Sequence, residues 1–107
     1  MLWYSRLYVG EKAKRHRFSI IQGIRGERCR PGIYVITPAS NENNILDIYP
    51  AMTLKNPYYK KKELLVLGIA DGYQEALEVA GIIVQEMYQK TGGFCLNDFL
   101  KESSGKV

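Results

Sequence analysis

His16 is the only histidine of this 107-residue chain, and Cys29 and Cys95 are its only cysteines. Nucleophilic catalysis needs a thiol or hydroxyl within hydrogen-bond reach of a base. Cys29 lies between Arg28 and Arg30, whose positive charge favours the thiolate, so it is the candidate around which a thiol-dependent enzyme would be built. His16 is the one imidazole base, and a helix through residues 11–25 would hold it more than two turns away. A surface histidine in a basic run and an incidental loop cysteine fit that spacing better than a catalytic pair. Cys95, between Phe94 and Leu96, reads as a small buried hydrophobe.

Metal chemistry has even less material. One histidine and two separated cysteines cannot furnish the four ligands of a structural zinc site. Asp47, Asp71 and Asp98 fall on three different elements, and neither an EF-hand loop nor an HExxH pattern occurs. No catalytic residue, metal or cofactor is assigned. The run Gly68-Ile69-Ala70-Asp71-Gly72, between a strand and a helix, invites a phosphate reading because free N–H groups at such a turn attract anions. It lacks the Walker lysine and the dinucleotide-binding spacing. Asp71 sets a carboxylate where the phosphate would stand, so helix capping by Asp71 is the expected role.

Charge gives the strongest binding signal. Fifteen Lys and Arg against eleven Asp and Glu leave a formal net charge of +4, concentrated in 12–30 and 60–62. Lys12, Lys14, Arg15 and Arg17 in the first segment, with Tyr58, Tyr59, Lys60, Lys61 and Lys62 in the second, are candidate nucleic-acid contacts. Cations would neutralise phosphates while Phe18, Tyr58 and Tyr59 stacked on bases. A solvated helix face competes with that reading, since the net charge is modest and no recognised binding motif is present.

The elements that must position these residues follow from apolar spacing. Leu2 to Val9 is a first strand closed by Gly10. Residues 11–25 suit a helix, with Ala13, Arg17, Ile20, Ile21 and Ile24 on one stripe and strand as the alternative for RFSIIQGI. Pro31-Gly32 turns the chain, and Ile33–Thr37 is a β-branched strand. Residues 45–54 suit an edge strand broken at Pro50. The continuous apolar run 64–70 is a buried strand that needs cover on both faces. It feeds a helix from about Gly72 to Lys90, whose inner face is read as Tyr73, Ala76, Leu77, Ala80, Val84, Met87 and Tyr88. Glu75, Glu78, Gln85, Glu86 and Gln89 then face solvent, with Ile82 and Val79 toward that polar side. Gly92 ends the helix in a left-handed conformation. Gly81 is expected to let the helix approach the sheet. Phe94, Leu96, Phe99 and Leu100 form a short C-terminal turn, capped by Asn97, that packs back on the body.

The segments VLGIADGYQEALEVAGIIVQEMY, IYVITPASN and NPYYKKKELLVLGIA resemble a class of small, functionally uncharacterised proteins predicted in Gram-positive bacterial genomes. The resemblance spans most of the chain. It implies a bacterial cytoplasmic protein and carries no activity, cofactor or catalytic residue.

The expected architecture is one α+β domain over 1–107, a two-layer sandwich with helices on one face of a mixed sheet of about four strands. Its two main helices lie in the order β-α-β-β-β-α, followed by a short C-terminal element. No apolar run reaches membrane-spanning length and the N-terminus lacks a secretory pattern, so the expected location is a reducing cytoplasm. Trp3, Tyr4, Tyr8, Ile48, Tyr49 and Met52 exceed what a one-sided core needs and are candidate interface residues. The expected function is therefore a non-enzymatic protein-interaction domain that forms a homo-oligomer. Nucleic-acid binding is the alternative, and thiol chemistry at Cys29 a further one.

Overall fold

In the computed structural model, residues 2–26, 28, 30–40, 44–60 and 64–104 are described, except the side chains of Tyr59, Lys60 and residues 101–104. The strands are β1 (Leu2–Val9), β2 (Ile33–Pro38), β3 (Leu46–Pro50) and β4 (Leu65–Asp71). The helices are α1 (Glu11–Lys14), α2 (Arg17–Arg25), α3 (Pro57–Lys60), α4 (Tyr73–Thr91) and α5 (Leu96–Ser104), with a 3-10 turn at Ala51–Lys55. The sheet order is β1-β4-β2-β3. β1 runs parallel to β4, while β2 is antiparallel to both β4 and β3. The α+β class, the mixed four-stranded sheet and the two main helices, α2 and α4, are as expected.

β4 is central because its side chains are apolar on both sides. Leu67 and Ala70 join Tyr4 and Ile36 under Ala76, Val79, Ile83 and Met87 of α4 and Phe99 of α5. Val66 and Ile69 join Ile33 and Val35 under Ala13 of α1, Ile20 and Ile24 of α2, and Ala51 and Leu54 of the 3-10 turn. The helices thus cover both faces rather than one. A sheet buried on both sides by helices gives strands that read as continuous apolar runs, as residues 64–70 do.

Pro50 is the last residue of β3, opposite Tyr34, and the chain then enters the 3-10 turn. Proline lacks an N–H donor, which an edge strand tolerates. The expected helix over 11–25 is two pieces. His16 leaves helical geometry at φ −128° and ψ 25°, and the basic residues are split between α1 and α2.

α4 ends as expected at Gly92, left-handed at φ 74°, whose N–H donates to the Tyr88 carbonyl at 2.8 Å. Its start differs. Gly72, at φ 101°, holds the N-cap position with no side-chain cap, and the Asp71 carboxylate accepts from Arg30 Nη2 at 2.9 Å instead. The buried stripe is Ala76, Val79, Ile83 and Met87, which turns the helix away from the expected face. Val79 lies inside, whereas Tyr73, Leu77 and Tyr88 lie outside. Close approach to the sheet is permitted by Gly68, where a Cβ would stand 3.0 Å from Val79 Cγ1 and 3.2 Å from the Tyr8 carbonyl oxygen. Gly81 is exposed, with no other element near its would-be Cβ, although glycine there costs the helix about 1 kcal/mol against alanine.

The C-terminal segment forms nine residues of helix, with Asn97 inside it. Phe99 is fully buried and Leu96 and Leu100 pack at the core margin. Phe94 and Cys95 are exposed. The two glycines before Phe94 lead the chain off α4 before it can fold inward, so neither takes the expected core place.

Candidate functional site

Two adjoining apolar stripes run along α4; the first is buried in the core, and of the second only Ala80 packs against that core. The second, Tyr73, Leu77, Ala80, Val84 and Tyr88, also recurs at three- and four-residue steps, which places these residues on one side of the helix. Tyr73 is 54% exposed, Leu77 43% and Tyr88 54%; Ala80 and Val84 are half-buried between them. Phe94, 53% exposed, stacks on Tyr88 with ring centroids 5.3 Å apart. At the other end Tyr73 meets Tyr34 of β2 edge-to-face at 5.6 Å. These ring contacts hold the aromatic ends of the stripe in place. Gln74, Glu78, Gln85 and Gln89 lie exposed beside it.

On the opposite face, Lys12, Lys14, Arg15 and Arg17 are all exposed. Lys14 Nζ pairs with Glu11 at 3.1 Å, a solvent-screened contact of small worth. Phe18 is 75% exposed next to Arg17, and the Arg25 guanidinium sits 5.7 Å over the Trp3 ring. Tyr58 is exposed on α3. The side chains of Tyr59 and Lys60, and Lys61 and Lys62 altogether, lie outside the described residues.

At the C-terminal ends of the parallel pair β1 and β4, where open α/β sheets commonly bind ligands, Glu11, Lys12, Arg15, His16 and Asp71 line a hollow of about 500 Å³. The backbone N–H groups beside it are already engaged. Glu75, only 6% exposed, accepts from Lys12 N at 2.7 Å, Ala13 N at 3.2 Å and Asp71 N at 2.9 Å. A carboxylate thus stands at the anion position of this turn, as expected, but it belongs to Glu75 rather than Asp71. Helical spacing alone puts Glu75 on the solvated side of its helix, and the structure buries it. The donors it satisfies come mainly from a turn more than sixty positions earlier, so no local pattern marks it. Cys29 lies outside the described residues, and among the described residues the hydrogen bond to His16 from a side chain, Ser19 Oγ at 3.2 Å, goes to its carbonyl and not its ring.

The six residues expected at an interface are divided. Trp3, Tyr4 and Tyr8 lie on edge strand β1, whereas Ile48 and Tyr49 lie on the opposite edge, β3, and Met52 in the turn after it. Tyr4 is buried and stacks on Tyr8 at 6.3 Å. Tyr8 donates its hydroxyl to Glu86 at 2.5 Å. Burial, then the bond to and charge of Glu86, push the Tyr8 phenol far above its usual range. Trp3 and Tyr49 flank the core on the α2 side, and Ile48 flanks it on the α4 side. Met52 is exposed. Tyr73, Leu77, Tyr88 and Phe94, which were not among those six, are each about half exposed, and Tyr88 and Phe94 stack on one another. Their signal in the sequence is an excess of apolar residues on α4 beyond what one stripe holds.

Asp47 on β3 fastens the chain after β2. Its carboxylate accepts from Ser40 N at 3.0 Å and from the Tyr49 hydroxyl at 3.0 Å. Burial alone would raise its pKa, but the bonds from Ser40 and Tyr49 outweigh it and hold the group below the ordinary carboxylate value.

Among the described residues, no group of three or more His, Cys, Asp or Glu could hold a metal ion, and no helix is long and apolar enough to cross a membrane. No protein-family model, curated protein or solved structure matches this chain.

Proposed function

We propose that this chain is a protein-interaction domain that self-associates, and that the outer stripe of α4 is the surface through which it does so. One observation carries the reading: Tyr73, Leu77 and Tyr88 stand about half exposed in a line along a single helix, extended by Phe94. Contiguous exposed apolar surface of this kind gains by leaving water, and aromatic side chains are enriched at contact surfaces. A bacterial cytoplasm is the setting that goes with this reading, supported by the sequence resemblance and by an exposed thiol at Cys95 that suits a reducing compartment.

The test is solution mass by light scattering over a concentration series. The native chain is expected to exceed monomer mass at high micromolar concentration, while Leu77→Glu stays monomeric with an unchanged melt. A native chain that remains monomeric throughout removes the reading.

A second reading, nucleic-acid binding, draws support from Phe18, which is 75% exposed among the cations of α1 and α2. α2 shares a core cluster with the 3-10 turn, and α3, which carries Tyr58, follows that turn in the chain. Salt-sensitive binding of single-stranded oligonucleotide, weakened by Phe18→Ala and by Arg15→Glu with Arg17→Glu, is the expected result. Anisotropy that stays flat at low salt and tens of micromolar protein counts against it.

A further inference from the structure

Resting on the reading that α4 mediates self-association, we infer that two copies pair through α4 in antiparallel orientation, about a twofold axis that passes between Ala80 and Gly81. With Gly81 counted in it, the outer stripe has the same spacing in both directions. Tyr73, Leu77 and Ala80 approach that point by steps of four and three residues, and Gly81, Val84 and Tyr88 leave it by steps of three and four. A twofold axis there sets Tyr73 against Tyr88 of the second copy, Leu77 against Val84, and Ala80 against Gly81. The side-chain sizes match as well: aromatic rings stand at both ends, branched aliphatics inside them, and the two smallest residues at the centre.

Two copies related by a twofold must present one surface that complements itself. A helix stripe whose pattern is unchanged by reversal meets that requirement, whereas a stripe built for an unrelated partner has no reason to be reversible. Small residues at the crossing point let two helix axes approach to about 8 Å. Gly81 is the position that the chain's own packing does not account for. It lies in mid-helix, where glycine is unfavourable, and apart from its own helix backbone and chain neighbours nothing among the described residues stands within 4 Å of its would-be Cβ. In the pair, that open space admits the second helix. Antiparallel helices also set the positive end of each dipole beside the negative end of the other. Glu78 is the single charged residue among the four polar side chains beside the stripe, the others being Gln74, Gln85 and Gln89, so like copies meet with little repulsion.

The experiment uses the full chain with Cys29→Ser and Cys95→Ser, monitored by light scattering and by cross-linking with a short bis-maleimide. Tyr73→Cys and Tyr88→Cys are made separately. The antiparallel pair predicts covalent dimer from a one-to-one mixture of the two variants, about tenfold above either variant alone. Ala80→Cys, beside the axis, should cross-link to itself. Gly81→Leu, which the free chain accommodates in open space, should raise the dimer dissociation constant at least about tenfold without lowering the melting temperature. Efficient cross-linking of Tyr73→Cys to itself would show a parallel pair and overturn the inference. So would a dimer that tolerates Gly81→Leu. Dimer mass without cross-links at any of these positions leaves self-association standing and overturns the α4 pairing, whereas monomer mass in the parent chain overturns both.

Discussion

The carboxylate of Glu75 fills the space that any side chain on Gly10 would need. Gly10 follows β1 and Glu75 lies in the first turn of α4, so the contact bolts the two strand-to-helix turns of the parallel pair together. Gly10→Ala would drive the carboxylate out and strand the N–H groups of Lys12, Ala13 and Asp71. The expected loss is about 2–4 kcal/mol, from overpacking and unsatisfied buried donors. Glu75→Ala should cost a similar amount, and Glu75→Gln less, since the amide keeps one acceptor oxygen. Urea melts measure all three, and a Gly10→Ala protein as stable as the native chain would refute the bolt.

The rotation of α4 is tested by charge placement. Val79→Asp puts an unpaired carboxylate against Gly68 and should destabilise by several kcal/mol, whereas Ile82→Asp, on the exposed side, should change stability by no more than about 0.5 kcal/mol. Equal melting temperatures for the two variants would contradict the observed buried face.

Asp47 supplies an acid-side dependence. Its folded pKa lies below the unfolded value, so its contribution is present above the unfolded carboxylate value of about 4 and is lost as pH falls through the folded value. Asp47→Asn should flatten the acid limb of a plot of stability against pH relative to the native chain. A native-like acid limb in that variant would show that the Ser40 and Tyr49 bonds do not hold the anion.

Tyr8 acts on the alkaline side with the opposite sign. Its folded pKa is raised, chiefly by burial and then by Glu86. Its contribution is therefore present below the unfolded phenol value of about 10 and lost as pH rises above it. Tyr8→Phe should weaken the fold at neutral pH, through the lost bond to Glu86, yet fall off less steeply between about pH 10 and 11. Denaturation midpoints across that range decide the matter.

Much of the sheet was legible because β-branched runs and turn residues carry local information. β1, β2, the break at Pro50, β4 and the left-handed end of α4 all fall where the residues place them. The face of α4 was not legible. Tyr73, Leu77, Ala80, Val84 and Tyr88 are as periodic and apolar as Ala76, Val79, Ile83 and Met87, and only the sheet decides between them. Gly68 decides it physically by making room for Val79. Glu75 was hidden for a different reason: the donors that hold it come from a remote turn, and a glutamate on a helix otherwise reads as solvated. The separation of α1 from α2 at His16 was likewise unmarked, since neither glycine nor proline stands there.

The pairing of β1 with β4 also governs the order in which the sheet can be assembled. β2 and β3 are consecutive strands and can zip together early, and β4 then adds to β2. β1 precedes the other three strands in the sequence but, among the described residues, pairs only with β4, so Leu2 must wait for Leu65. Closing so long a loop carries an entropic cost, and such non-local pairing slows folding. During that interval Trp3, Tyr4 and Tyr8 travel uncovered on the nascent chain. Of the four strands, the earliest in the sequence pairs with the latest.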